Sequence, residues 1–314
     1  MDTLHPLIDR FGREYVGRRM MLQARHSADV YGGYGRLRFH PENSELLPWL
    51  ARVGLKVAGL AGRTRRNCLD YHVERREFRI RNLPAPFHGL RILHLSDIHS
   101  DAIPDRGERL IRLLQGLHGA YDLCVLTGDY RFQTSREYDT SLERLAPLLK
   151  PIYCPFGMIG ILGNHDFLEM VPGLEALGVR TLVNESLHLE RDGQRLWIAG
   201  TDDPHFYAAH DIARSLADVP ASAPTILLCH SPEAYQEAAL SGVDLYLCGH
   251  THGGQLCLPG SLPLITNAAV PRRLVSGPWN VDRMLGYTSR GAGASGIPAR
   301  LNCPPEVAIH TLTG

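Results

Sequence analysis

The sequence predicts an α/β protein in which short strands alternate with helices and a layered sheet is covered on both sides. Three observations predict it. From residue 91 onward, short apolar runs are punctuated by glycine or polar residues and followed by stretches of helical periodicity. The runs are apolar at successive positions, as in strands buried on both faces. Polar residues cluster where the runs end, and strand ends are where ligands collect in such sheets.

In order along the chain, "RILHLS" (91–96) reads as a strand. A helix from about Arg106 to Leu117 follows, with Leu110, Leu113, Leu114 and Leu117 at helical spacing. "YDLCVLTG" (121–128) is the next strand, and a helix over 138–149 is closed by Pro151. "GMIGILGN" (157–164), "RLWIAG" (195–200), "TILLCH" (225–230) and "VDLYLCG" (243–249) continue the series. Beyond 252 the helical signal fades, and "RMLGYTSR" and "EVAIHTL" read as closing strands.

The 314 residues suffice for one large domain, or one domain with an appendage. The formal net charge is zero but unevenly spread. Residues 1–91 carry 17 basic and 9 acidic side chains, and the remainder 16 against 24. A basic N-terminal region, 1–87, on an acidic body, 88–314, is the expected organisation. Seven scattered cysteines form no CxxC pair, which argues for a reducing compartment and against a thiolate zinc site. No secretory h-region is visible, and no run reaches the roughly 18–20 apolar residues of a membrane span.

"LLPWLARVGLKVAGLAGRTRR" (46–66) carries Leu46, Leu50, Val53, Val57, Leu60 and Ala61 on one helical stripe. Arg52 and Lys56 lie opposite, and Arg63, Arg65 and Arg66 follow. Such a helix either lies in an anionic membrane interface or packs on the main domain. "GGYGRLRF" upstream reads as loop or hairpin. Nucleic-acid binding is not expected, because aromatic residues interleaving the basic ones are too sparse for a single-strand platform.

Five strand ends deliver the chemistry. "HLSDIHSD" supplies Asp97 and His99, "LTGDY" Asp129, "LGNHDF" Asn164 and His165, "LLCHSPE" His230, and "CGHTHGG" His250 and His252. Each residue alone has an ordinary structural explanation, such as a cap, a turn or a satisfied histidine. Their joint appearance at consecutive strand ends does not. Imidazole, carboxylate and amide donors without thiolate suit Mn²⁺ foremost, or Fe²⁺ or Zn²⁺. Seven ligands are too many for one tetrahedral ion and suit two ions sharing a carboxylate, which generate a metal-bound hydroxide near neutral pH. His165 points away from its neighbour Asn164, so it is the natural proton donor to a leaving oxygen, with Asp166 as its orienter.

In this order, D-x-H, G-D, G-N-H-D, a lone H and G-H-x-H resemble the calcineurin-like metallophosphoesterases. The resemblance covers about residues 88–314. It implies a two-sheet β-sandwich flanked by helices, here with the basic N-terminal appendage. It also implies that Asp97, His99, Asp129 and His252 hold one ion. Asp129, Asn164, His230 and His250 would hold the second, with Asp129 bridging, and His165 would be the catalytic histidine. "GHTHGGQ" and the tail after Ser289 are similar to a branch containing membrane-associated phosphoesterases and UDP-2,3-diacylglucosamine hydrolases. "GDYRF" and "GNHDF" depart from the V-D-R-G and N-H-E runs of protein phosphatases in the superfamily, and argue against a phosphoprotein substrate.

The implied reaction is phosphoester hydrolysis, with a phosphodiester preferred and a lipid-linked or nucleotide–lipid pyrophosphate as the leading substrate class. A soluble nucleotide phosphodiesterase or phosphomonoesterase, and a catalytically silent scaffold, are the competing readings. Filled ligand positions argue against the scaffold. Arg131, two residues beyond Asp129, and Arg272 and Arg273 in "VPRRLVSGPW" are candidate contacts to an anionic substrate. The expected location is cytoplasmic, with the inner face of a membrane as a peripheral partner.

Overall fold

A computed structural model describes residues 4–31, 46–132 and 138–314. The "GGYGRLRF" segment lies outside the described residues. Strands β1–β5 span His72–Arg79, Arg91–Leu95, Leu123–Leu126, Met158–Gly160 and Val179–Thr181. β6–β9 span Glu185–Arg191, Gln194–Gly200, Thr225–Leu228 and Leu245–Cys248. β10–β14 span Cys257–Leu258, Leu262–Pro263, Gly277–Val281, Met284–Thr288 and Glu306–Thr313.

Two six-stranded mixed sheets result, ordered β1-β14-β2-β3-β4-β5 and β12-β13-β9-β8-β7-β6, with β10 and β11 as a separate hairpin. β2 to β5 run parallel, as do β7, β8, β9 and β13. Strand alternation explains the layers. In β3, Leu123 and Val125 face the opposite sheet, meeting a core that includes Ile198, Ile226 and Leu247. Cys124 and Leu126 face the helices outside. The two-sheet sandwich that the resemblance implies is what forms, in place of the single sheet suggested by the strand pattern alone. A doubly buried strand reads as apolar whether its second cover is a helix or another sheet.

Helices α1 (Leu4–Phe11) and α2 (Arg13–Tyr31) lie on this body, with Leu7, Phe11 and Val16 buried in the outer core of the first sheet. The fully buried Arg19 pairs with Asp202 at 2.7 Å. The predicted basic helix is two: α3 (Leu46–Val57) and α4 (Ala61–Asn67), separated at Gly59, whose φ of 70° only glycine adopts freely. The apolar stripe on α3 faces solvent at Leu50, Val53 and Val57. α5 (Glu108–Gly116) and α6 (Asp139–Leu149) match the predicted helices to within two residues. Among the described residues no helix is long and apolar enough to cross a membrane.

Candidate metal centre

All eight predicted metal-ligand and catalytic residues meet at one rim. Asp97, Asp129 and Asn164 follow β2, β3 and β4 of the first sheet; His230 and His250 follow β8 and β9 of the second. His99, His165 and His252 lie one or two residues beyond. The rim is thus shared between the sheets. Backbone conformation there is unusual: Asp97, His99, Asp129, His250 and His252 all have φ between 45° and 69°. Non-glycine residues avoid this region at a cost of about 1–3 kcal/mol each, and such residues cluster at functional sites. Close approach demands glycine as well. A Cβ on Gly163 would meet Asp129 Oδ1, and one on Gly249 would meet Asp97 Oδ2.

Asp129 reaches both halves of the cluster. Its Oδ2 lies 3.7 Å from His99 Nε2 and 3.8 Å from His165 Nε2, and its Oδ1 lies 3.4 Å from His230 Nε2. On one side, His252 Nε2 stands 3.5 Å from Asp97 Oδ1 and 3.3 Å from His99 Nε2. On the other, Asn164 Oδ1 is 2.9 Å from both His230 Nε2 and His250 Nδ1. Asp97–His99–His252 and Asp129–His230–His250 each bring ligand atoms close enough to share an ion.

Ring orientations follow from what lies behind them. His99 Nδ1 donates to Arg131 O and His230 Nδ1 to Thr127 O, both at 2.7 Å; His250 Nε2 donates to Asn267 O at 3.0 Å. Each neutral ring therefore turns a lone pair into the cluster. At Asn164 two ring lone pairs converge on an amide oxygen, while the buried Asn164 Nδ2 has no hydrogen-bond partner. Acceptors meeting in a buried site are relieved by a proton or by a metal ion held between them. The donor set fits divalent ions.

Electrostatics agree. Burial opposes charge on His230, yet Asp129, Asp97 and Asp203 outweigh it and raise its pKa to about 10. Without metal, a proton there supplies the missing positive charge. Burial and the neighbouring Asp129 raise Asp97 to about 6. Asp129 resists its own burial and is held well below the ordinary carboxylate range by His230, His165 and His99.

His165 alone of the eight is partly exposed. Its Nδ1 donates to Phe132 O at 2.7 Å. Asp166 is not its orienter: that carboxylate accepts the backbone N–H groups of Asp129, Tyr130 and Gly163 at 2.7–3.0 Å, tying two strand ends together. Arg131 is buried behind the site, stacked 3.7 Å over Phe167 and hydrogen-bonded through Nε to His165 O. Arg272 and Arg273 are exposed on a short turn, joined to the rim where Thr251 Oγ1 donates to Val275 O.

Two neighbours escaped the sequence reading. His205, its Nδ1 2.7 Å from Glu233, packs its ring 4.2 Å from that of His250. "TDDPHF" after β7 was the signal, a sixth polar strand end. Arg300 Nη2 lies 3.2 Å from His252 Nδ1, with no signal in its irregular tail.

A two-sheet sandwich with a buried imidazole–carboxylate cradle on its shared rim defines a metal-dependent phosphoester hydrolase. The sequence profile of calcineurin-like phosphoesterases matches residues 90–254, and the chain belongs to that family. It is 32% identical over 240 residues to a metallophosphoesterase of Aquifex aeolicus, covering 72% of this chain and 85% of that one. Metallophosphoesterase YkuE of Bacillus subtilis is 30% identical over 237 residues, covering 73% and 81%. Phosphodiesterase YaeI of Escherichia coli is 30% identical over 238 residues, covering 73% and 83%.

Proposed function

We propose that this protein is a phosphodiesterase with a dinuclear metal centre, acting on a lipid-linked phosphodiester or pyrophosphate. The carrying observation is the position of Asp129, whose two oxygens face the two halves of the cluster. Asp97, His99, Asp129 and His252 hold one ion, and Asp129, Asn164, His230 and His250 the other. Mn²⁺ suits these donors best. Two divalent ions, when bound, supply the charge that a phosphoryl group requires and the acidity that makes water a nucleophile near neutral pH.

The chain's own residues do the rest. Backbone carbonyls hold the rings of His99, His230 and His250 in place, and Arg300 lies against that of His252. Burial keeps bulk water from the cradle and strengthens every charge interaction inside it. His165, held at Nδ1 by Phe132 O, presents Nε2 toward Asp129 and the opening, and gives a proton to the departing oxygen. Arg131 holds the His165 backbone; Arg272 and Arg273 draw an anionic substrate to the rim. Residues 1–87 form an N-terminal region serving the body of 88–314, and the protein works from the cytoplasm at the inner face of a membrane.

Chelator-stripped protein is assayed with added Mn²⁺ on bis-p-nitrophenyl phosphate and on p-nitrophenyl phosphate. Preference for the diester is expected. Preference for the monoester overturns the phosphodiesterase reading.

A further inference from the structure

Beside the metal centre lies an apolar cavity of about 450 Å³, within the roughly 300–1,000 Å³ range of small-molecule sites. Its inner wall includes His252, a proposed ligand, and Asn267, whose carbonyl orients His250. Its other walls include Leu55 of α3, Leu256 and Ile297. Leu50 of α3 and Leu264 and Ile265 beyond β11 line it too, and they are exposed, so they mark the mouth. A ligand filling this space is apolar along its length and meets the phosphoester site at its inner end.

Apolar exposure continues along α3 and at the mouth. Trp49 and Val57 on α3 are 57% and 84% exposed, and Leu264 and Ile265 are 58% and 52% exposed. Nothing among the described residues covers them. Large exposed apolar patches mark interaction surfaces. Charge names the surface: residues 46–69 contain no carboxylate, and Arg52, Lys56, Arg63, Arg65 and Arg66 are all exposed. An apolar rim within a purely cationic segment complements an anionic bilayer, where the side chains enter the acyl region and the cations meet head groups.

We infer that α3 and the β10–β11 hairpin dock on an anionic bilayer, and that the cavity between them takes up the hydrocarbon chain of the substrate. The inference rests on the phosphodiesterase reading and adds the place where the lipid part of its substrate is held: an acyl or prenyl chain, drawn from the membrane.

Gly54 offers the test. It lines the cavity on α3, and a Cβ added there meets no atom within 4 Å, so Gly54→Phe starts from an unobstructed position and carries its ring beside the cavity. The metal-free full chain is titrated with cis-parinaric acid, a fluorescent fatty acid. Saturable binding is expected, weakened at least tenfold in Gly54→Phe with an unchanged circular dichroism spectrum. Absent binding, or equal binding by the variant, overturns the cavity's role. In parallel, the protein is sedimented with vesicles of phosphatidylcholine alone or mixed equally with phosphatidylglycerol. Retention on the mixed vesicles, lost in Leu264→Glu/Ile265→Glu, is expected; equal behaviour of protein and variant overturns docking. Neither readout involves turnover. Failure here leaves hydrolysis of soluble diesters standing, and failure of hydrolysis leaves these binding results standing.

Discussion

His230 Nε2 lies 2.9 Å from Asn164 Oδ1, and its other nitrogen is committed to Thr127 O. With His230 raised to about 10, the bare protein keeps a proton on that nitrogen, and it donates to the amide oxygen in a buried site. A metal ion bound between these atoms takes the place of that proton, so metal binding and proton release are linked at this pair.

His165→Ala is expected to keep bound metal and lose turnover by roughly 10²–10⁴-fold. The loss should grow as the leaving group becomes more basic, from p-nitrophenolate to a simple alkoxide. Steady-state rates across such a diester series check it. A uniform loss would contradict proton donation.

Gly163→Ala forces a methyl against the Asp129 carboxylate and to 2.5 Å from the Asp129 backbone nitrogen. A stability loss of about 1–3 kcal/mol is expected, together with weakened metal binding. Denaturant melts and Mn²⁺ titration measure the two effects separately.

Arg19→Met leaves Asp202 buried without its cation, and should cost about 3–5 kcal/mol. Replacing Asp202 by Leu in the same chain should restore part of the loss. Urea unfolding of the parent protein and the two variants reads this out. No effect from Arg19→Met would mean that α2 does not brace the body.

Acid should destabilise the fold through the buried His94–His310 pair, whose ring nitrogens lie 3.2 Å apart. Burial lowers His94 to about 3 and, with the neighbouring His94, takes His310 well below its usual value. The unfolded chain binds these protons from about pH 6.5 downward, whereas the folded chain refuses them until far lower. Stability therefore falls as pH falls through this window, by about 1.4 kcal/mol per pH unit for each histidine. In chelated protein, His310→Leu should flatten that slope by one histidine's share.

The residues that meet at the rim were legible in the sequence because they lie where apolar runs end. A strand end fixes where the residue lies before any tertiary contact is known. Strand β1, "HVERREFR", was not legible: it is an edge strand, mostly solvent-facing, and its parallel register with β14 comes from residues more than 200 positions away. The seating of α1 and α2 was hidden for a similar reason. Arg10 and Arg19 carry no motif, and only the fold brings Glu175, Glu185 and Asp202 to them. Asp166 was misjudged because adjacency to His165 suggested pairing, whereas its carboxylate turns back onto three backbone amides.

The proposed bridging role of Asp129 is tested most directly by counting ions. Metal-stripped protein is dialysed against Mn²⁺ and its content determined by plasma mass spectrometry, alongside Asp129→Asn, His250→Ala and His252→Ala. The account predicts two ions in the parent protein, one in each histidine variant and fewer than one in Asp129→Asn. A single ion in the parent, or two retained in Asp129→Asn, would contradict it.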